Sequence, residues 1–449
     1  MRHRLGVQTG WVVAPFAVSQ IVRLGTSIVL ARLLAPEMFG LMLIVNTLRT
    51  GTELLSDIGI GQSVVRARRE PDRAFLDTAW TLQLARGILL TVLMLAVAGS
   101  VADLYGEELE PILLVVSGLF LLTGLQSPAL FLMQRNIELR QRAAYDVICT
   151  VVQCALTIAL SYVMPSVWAL VWGLMLSTAF STALSYVFGT RHVPRVALHP
   201  DHTREILNFG KWVFLATAIF FAATNMDRIF FGAALPIAAV GVYSIARTFS
   251  DMAAQLAQRL GALLVFPRIA GFRGEHHAAA DRIRQTRRKT LALVALGMGF
   301  AIAGSDAFIL LSYDQRYQAA AFMLPPLLVG VWFAVLATFA DAFLLGCDRP
   351  APVAYANAGK LGILIVGLPL ALAHAGLFAG LLVLALAEIG RWLMLNRSLV
   401  RERLAFLGDD LALTALVIAT AGLTKLALGA VGIVPDFAAW WALGSGAYG

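Results

Sequence analysis

Arg49, Glu53 and Asp57 follow one another at four-residue spacing inside an otherwise apolar stretch, and Arg247, Asp251, Gln255 and Arg259 repeat that spacing further along the chain. Residues four apart on a helix lie one above the other, so each set forms a stripe of charge on one helix face. Arg23, Arg86, Arg228, Lys360, Asp227, Asp341 and Glu388 also stand in apolar stretches. Ionisable groups at such positions cost about 2.5–3.5 kcal/mol each on insertion scales and mark substrate or ion pathways. Bases there can hold an anion by charge-assisted hydrogen bonds, and carboxylates can carry a coupling proton. Arg23, Arg49, Arg86, Arg247 and Lys360 are therefore the candidate substrate-binding residues of a basic cavity. Glu53, Asp57, Asp227 and Asp251 are the candidate ion-coupling residues. For Arg49–Glu53 and Arg247–Asp251 the alternative is a self-neutralising pair that fixes helix packing. For Arg23 and Arg86, which have no acid one turn away, it is pairing with another helix, and Lys360 is placed to snorkel.

Other chemistries lack their residues. Cys149, Cys154 and Cys347 sit in apolar runs without the paired spacing of a zinc site and read as packing residues. His276 and His277 have no metal-ligand spacing and read as part of a solvated loop. The bases that follow, Arg282, Arg284, Arg287, Arg288 and Lys289, read as lying along the anionic inner leaflet rather than on nucleic acid. Ala358-Gly359-Lys360 is followed by Leu361 and Phe209-Gly210-Lys211 by Trp212, so no phosphate-binding GxxxxGK[ST] loop is present. Neither a dinucleotide fingerprint nor an HExxH or GxSxG sequence occurs, and no cofactor or metal is expected.

The elements that must carry these residues follow from composition. Of 449 residues 59% are hydrophobic and 14% charged, with mean hydropathy +0.78, against about 25% charged in a soluble globular chain. A transmembrane helix needs about 20 apolar residues. Apolar runs predict helices at 10–34, 38–65, 74–101, 110–133, 142–164 and 166–190, a loop at 191–205, then helices at 208–233, 237–266, 290–312, 320–346, 353–373, 376–397 and 411–430. Residues 436–449, with Trp440 and Trp441, read as a truncated fourteenth span or an interfacial stub. The basic N-terminus is expected to lead into a retained first helix, since Arg23 lies in its middle and no cleavage site follows. Trp11, Trp168, Trp172, Trp212 and Trp392 read as interface anchors.

Charge sets orientation. The net charge is +8, and with the N-terminus inside, the bases fall in alternate, inner loops. They include Arg2 and Arg4; Arg66, Arg68, Arg69 and Arg73; Arg135, Arg140 and Arg142; and Arg397, Arg401 and Arg403. The outer stretch 102–111 is acidic, and only Arg316 breaks the pattern.

Leu34 and Gly40, at the turn between helices one and two, correspond to Leu235 and Gly241 between helices seven and eight, at a common offset of 201 (235 − 34 and 241 − 40). With six helices on each side, the expected fold is an all-α integral membrane protein of two six-helix transmembrane bundles related by an internal repeat, plus one or two C-terminal helices. The expected domains are 1–200, 201–400 and 401–449, with the substrate at the interface of the bundles.

Ala31-Arg32-Leu33-Leu34-Ala35-Pro36-Glu37-Met38-Phe39-Gly40, preceded by Trp11 and followed by Ser56-Asp57-Ile58-Gly59-Ile60, resembles the start of polysaccharide-transporter flippases of the multidrug/oligosaccharidyl-lipid/polysaccharide superfamily. Asn225-Met226-Asp227-Arg228, Gly232 and Val240-Gly241-Val242-Tyr243-Ser244-Ile245-Ala246 resemble the segment that opens their second bundle. The resemblance spans helices one to twelve and rests on the order and spacing of degenerate motifs. It implies a V-shaped, alternately opening pair of bundles. These would move polyprenyl-diphosphate-linked oligosaccharide from the cytoplasmic to the periplasmic leaflet of a bacterial inner membrane, for exopolysaccharide, O-antigen or capsule synthesis. Implied partners are membrane lipids, the lipid-linked substrate, and the polymerase and glycosyltransferases of the same pathway. A cation-coupled multidrug antiporter of the same superfamily is the alternative, but its cavity should be acidic. A membrane-bound glycan polymerase or ligase would need catalytic groups outside the membrane, and the outer loops are too short for them, so no enzyme is expected.

Overall fold

The computed structural model describes residues 2–66, 71–136, 138–189, 194–264, 276–346, 349–401 and 406–432. Among the described residues every regular element is helical, and eight helices are long and apolar enough to cross a membrane, or nine if one bent pair forms a single span. This is a multi-pass membrane protein. The chain separates into two compact units, Met1–Phe221 with Gly232–Ile237, and Ala222–Phe231 with Ala238–Gly449.

The first unit contains α1 (Arg2–Leu33), α2 (Pro36–Leu54), α3 (Ile60–Arg66), α4 (Arg73–Tyr105), α5 (Leu109–Val116), α6 (Gly118–Gly124), α7 (Ala129–Arg135), α8 (Leu139–Val163), α9 (Val167–Phe188) and most of α10 (Pro200–Ala234). Pro36 begins α2, where a missing N–H is harmless. Asp72 caps α4 by accepting from the Phe75 N–H at 2.8 Å. α1 packs on α8, α8 on α9, and α4 on α5 and α6. Leu109, Leu113, Leu119 and Phe120 form the buried side of the short helices.

Two predicted spans are broken. The stretch 38–65 is not one helix: α2 ends at Leu54 and α3 starts at Ile60. Between them Asp57 Oδ1 accepts the Gly59 N–H at 2.9 Å, and Gly59 takes φ 67°. A short acidic side chain that captures local backbone, followed by a glycine free to turn left-handed, ends the helix. The stretch 110–133 is three helices, with a 58° bend between 109–124 and 129–135. Pro128, which has no N–H, sits at the bend. The predicted loop 191–205 is shorter than expected, since residues 194–199 are extended and α10 begins at Pro200. That extended stretch lies along α4. Arg195 N–H donates to Asp77 Oδ1 (2.9 Å), Ala197 N–H to Thr81 Oγ1 (3.0 Å) and His199 N–H to Thr78 Oγ1 (3.2 Å).

The second unit holds residues 222–231 of α10, α11 (Ile237–Leu264) from residue 238 on, α12 (His276–Ser312), a 3-10 turn (Gln315–Tyr317), α13 (Ala319–Gly346), α14 (Pro350–Arg401) and α15 (Leu407–Ala430). α13 packs on α12 and α14, and α15 on α12. α13 is the central helix, with 78% of its span buried against 11% for α15. The predicted helices 353–373 and 376–397 are the two arms of α14. Gly376 (φ 70°, ψ −168°) interrupts it in a region that only glycine visits freely. Lys360 on the first arm meets Glu388 on the second. A straight helix would hold them about 42 Å apart, so the chain folds back at Gly376.

The basic stretch before helix nine is also corrected. Residues 276–289 belong to α12 rather than to a loop. Arg287 is buried there instead of lying along a leaflet: it pairs with Asp410 at 2.6 Å and stacks over Phe406 at 4.7 Å. Cys347 and residues 436–449 lie outside the described residues, as do the side chains of Arg2, Arg4, Trp11, Arg66, Trp212, Arg259, His276, His277 and Arg282.

Candidate functional site

In the first unit α4 presents Gln83, Arg86, Gly87 and Leu90 on one face, at the three- and four-residue spacing of a helix. That face borders a cavity of about 560 Å³ beside the broken ends of α2 and α6. Arg49, Glu53, Asp57 and Arg86 all line it. Arg49 Nη1 pairs with Glu53 Oε1 at 2.8 Å, with the two side chains 23% and 28% exposed. Arg86 Nε donates to Ser56 Oγ at 3.0 Å, and its Nη2 donates to the Glu53 carbonyl oxygen. Glu53 stands in the last turn of α2, whose terminal carbonyls have no partner within the helix and carry the negative end of its dipole. Arg86 therefore neutralises a helix end, and Asp57 and Glu53 attract it as well. The same logic governs α6, whose end receives the Gln83 amide at the Thr123, Gly124 and Gln126 carbonyls, at 2.9, 3.1 and 3.2 Å.

Arg23 is not part of this cavity. It is exposed on α1 and makes no ion pair among the described residues.

Arg247, Lys360, Asp227 and Asp251 lie in the second unit, in a dense ion network. Arg247 Nε stands 3.1 Å from Asp227 Oδ2 and 3.4 Å from Asp251 Oδ1. Arg228 pairs with Asp251 and also donates to Asn225 Oδ1 at 2.9 Å. The Tyr243 hydroxyl donates to Asp227. Alongside, Lys360 pairs with Glu388, and Arg391 with Asp341 and, at 3.7 Å, with Glu388. The parts are electrostatically joined, since Glu388 attracts Arg247 and Lys360 attracts Asp227. The bases Arg228, Arg247, Lys360 and Arg391 are matched by Asp227, Asp251, Asp341 and Glu388, so formal charge sums to zero. Arg391 was missed by the sequence reading, although its place three residues after Glu388 is the one-turn spacing that marks a pair.

Charged side chains are thus held in ion pairs within each unit, and comparison with known proteins decides the family. The family described as polysaccharide biosynthesis protein matches residues 29–321, well over half of the chain. The chain belongs to that family. Over 314 residues it is 22% identical to the lipopolysaccharide biosynthesis protein WzxC of Escherichia coli (strain K12), covering 68% of this chain and 63% of that relative. The match thus spans less than two thirds of the relative's length. Over 350 residues it is 21% identical to the teichuronic acid biosynthesis protein TuaB of Bacillus subtilis (strain 168), covering 76% of this chain and 72% of that one. Among solved structures, the lipid II flippase MurJ in an inward closed conformation superposes with a TM-score of 0.75 at 12% identity, covering 93% of this chain and 97% of that one. That likeness shows the fold shared by this member of the polysaccharide biosynthesis family.

Proposed function

We propose that this protein is a flippase that moves polyprenyl-diphosphate-linked oligosaccharide from the cytoplasmic to the periplasmic leaflet of a bacterial inner membrane. It would act as a transporter rather than an enzyme in exopolysaccharide, O-antigen or capsule synthesis. The observation that carries the reading is the family match over residues 29–321. The likeness in fold to the lipid II flippase MurJ supports it. Two bundles, proposed as 1–200 and 201–400 and related by a repeat, would open alternately to either side. The inner-loop bases support a cytoplasmic N-terminus.

Arg23, Arg49, Arg86, Arg247 and Lys360 are the proposed anion ligands. Arg23, exposed and without an ion pair among the described residues, is the one ready to meet a diphosphate. The other four would have to exchange the partners they hold. Asp57, Glu53, Asp227 and Asp251 are the proposed carriers of a coupling proton. The polymerase and glycosyltransferases of the pathway are the proposed partners.

The test is the leaflet position of labelled lipid-linked oligosaccharide in proteoliposomes, for the wild type, Arg23→Ala and Arg86→Ala. Movement in the wild type that is lost in Arg23→Ala, with folded protein retained, is expected. An inert wild type that instead takes up organic cations against an imposed gradient would replace this reading with the antiporter.

A further inference from the structure

The four ionised groups around the cavity in the first unit, Arg49, Arg86, Glu53 and Asp57, sum to zero charge and are already engaged with one another or with backbone. Asp57 accepts from the Gly59 N–H and, at 3.4 Å, from the Gln62 amide. The Nε and Nη2 donors of the Arg86 guanidinium are held by Ser56 Oγ and the Glu53 carbonyl. Each of these groups holds a partner and their charges cancel, so the lining has no excess of either sign to select a charged ligand.

The polar side chains of the lining that hold no partner at all among the described residues are neutral. Gln126 and Gln134 line the cavity, and their side-chain amides make no hydrogen bond among the described residues. An amide offers an acceptor oxygen and two donors, the complement of a hydroxyl, which itself both donates and accepts. Phe131 supplies an apolar wall, held so close to α3 that a Cβ at Gly61 would lie 2.7 Å from its ring. Aromatic faces are electron-rich and attract weakly polarised C–H groups. A volume of about 560 Å³ lies within the roughly 300–1,000 Å³ of small-molecule sites.

We propose that this cavity is a binding site for an uncharged saccharide, with the Gln126 and Gln134 amides as hydroxyl ligands and the Phe131 ring against the sugar's C–H face. The inference rests on the flippase reading in one respect, that the sugar belongs to the headgroup being carried. It assigns that headgroup's neutral ring to the Gln126, Gln134 and Phe131 side of the cavity in the first unit, with the diphosphate at the proposed anion ligands, of which Arg23 is exposed.

The experiment uses the full chain, purified in detergent, and saturation-transfer NMR with glucose, galactose, mannose and N-acetylglucosamine. Glucuronate, pyrophosphate and tetraethylammonium serve as charged comparators. The expected result is binding of at least one neutral sugar, weakened tenfold or more in Gln126→Ala and Gln134→Ala while helix content and unfolding temperature stay at wild-type values. Failure of every neutral sugar to bind, or binding that both variants leave unchanged, overturns the proposal. So does a charged comparator whose binding the two variants abolish. The proteoliposome assay separates this claim from the one beneath it. If lipid-linked oligosaccharide crosses but both variants keep the wild-type rate and headgroup preference, the site is wrong and the flippase reading stands. If sugar binds as expected but nothing crosses, the site stands and the flippase reading falls.

Discussion

The guanidinium of Arg86 on α4 closes the end of α2 by donating to the main-chain carbonyl of Glu53, while its Nε holds Ser56 Oγ at 3.0 Å. A carbonyl in the last helical turn has no intrahelical donor, and in an apolar bundle no bulk water replaces it. Arg86→Met keeps the length of the side chain and removes every donor, leaving the Glu53 carbonyl only the Ser56 hydroxyl at 3.0 Å, which is shared with the Thr52 carbonyl. Unfolding in detergent should show a loss of about 1–3 kcal/mol, with Arg86→Lys between that variant and the wild type. Wild-type stability in Arg86→Met would mean that the bond contributes nothing to the broken helix.

In the second unit the Asp227 carboxylate is nearly buried and depends on Arg247 and the Tyr243 hydroxyl. Removing one partner of a buried pair strands the other charge, at a cost of about 3–5 kcal/mol. Arg247→Gln should therefore destabilise strongly. Adding Asp227→Asn should restore part of the loss, because the double variant strands no charge there. A double-mutant cycle of unfolding free energies measures the coupling. Simple additivity of the two single variants would show that the residues act independently.

These two sites mark where the sequence was legible and where it was not. The stripes Arg49-Glu53 and Arg247-Asp251 could be read from four-residue spacing, and both pairs form. Spacing along one helix says nothing about a second helix, so the partners of Arg86 and Lys360 were out of reach: one is a carbonyl at a helix end, the other an acid beyond the turn at Gly376. The apolar runs located most helices, because burial in a bilayer demands long apolar stretches. They missed the breaks at Asp57-Gly59 and Pro128, because hydropathy carries no record of which backbone groups a side chain captures. The excess of base also read differently in three dimensions. Counting Arg391 with its acids turns an expected basic lining in the second unit into a neutral network.

Close approach of α4 and α6 is what shapes the cavity wall. A Cβ on Gly87 would lie 2.5 Å from the Phe120 carbonyl oxygen and 3.1 Å from the Gly124 Cα, both main-chain atoms that cannot swing aside. Gly87→Ala should force the helices apart and cost about 1–3 kcal/mol by overpacking. Gly25→Ala and Gly422→Ala, with nothing within 4 Å of the added atom, should instead stabilise by about 0.5–1 kcal/mol, since alanine loses less entropy in a helix. Thermal unfolding of the three variants checks the opposite signs. Equal shifts in all three would show that packing at Gly87 is not limiting.

The extended stretch 194–199 is held to α4 by alternate residues. Thr78 and Thr81 are buried beneath it, and each hydroxyl donates to a carbonyl of its own helix, Ala74 and Asp77 at 2.7 Å, while accepting from the stretch. One hydroxyl can do both, so the helix satisfies the backbone of a segment that has no ladder of its own. Thr78→Val and Thr81→Val preserve shape and delete the acceptors. Each should release one main-chain N–H, of His199 and of Ala197 respectively. A bond contributing about 1 kcal/mol corresponds to roughly fivefold faster amide exchange at the released residue. Hydrogen exchange read by mass spectrometry on peptides covering 194–199 provides the measurement, with α9 as the internal reference. Unchanged exchange in both variants would mean that the segment is held by Asp77 alone, and Asp77→Ala would then be the variant that frees it.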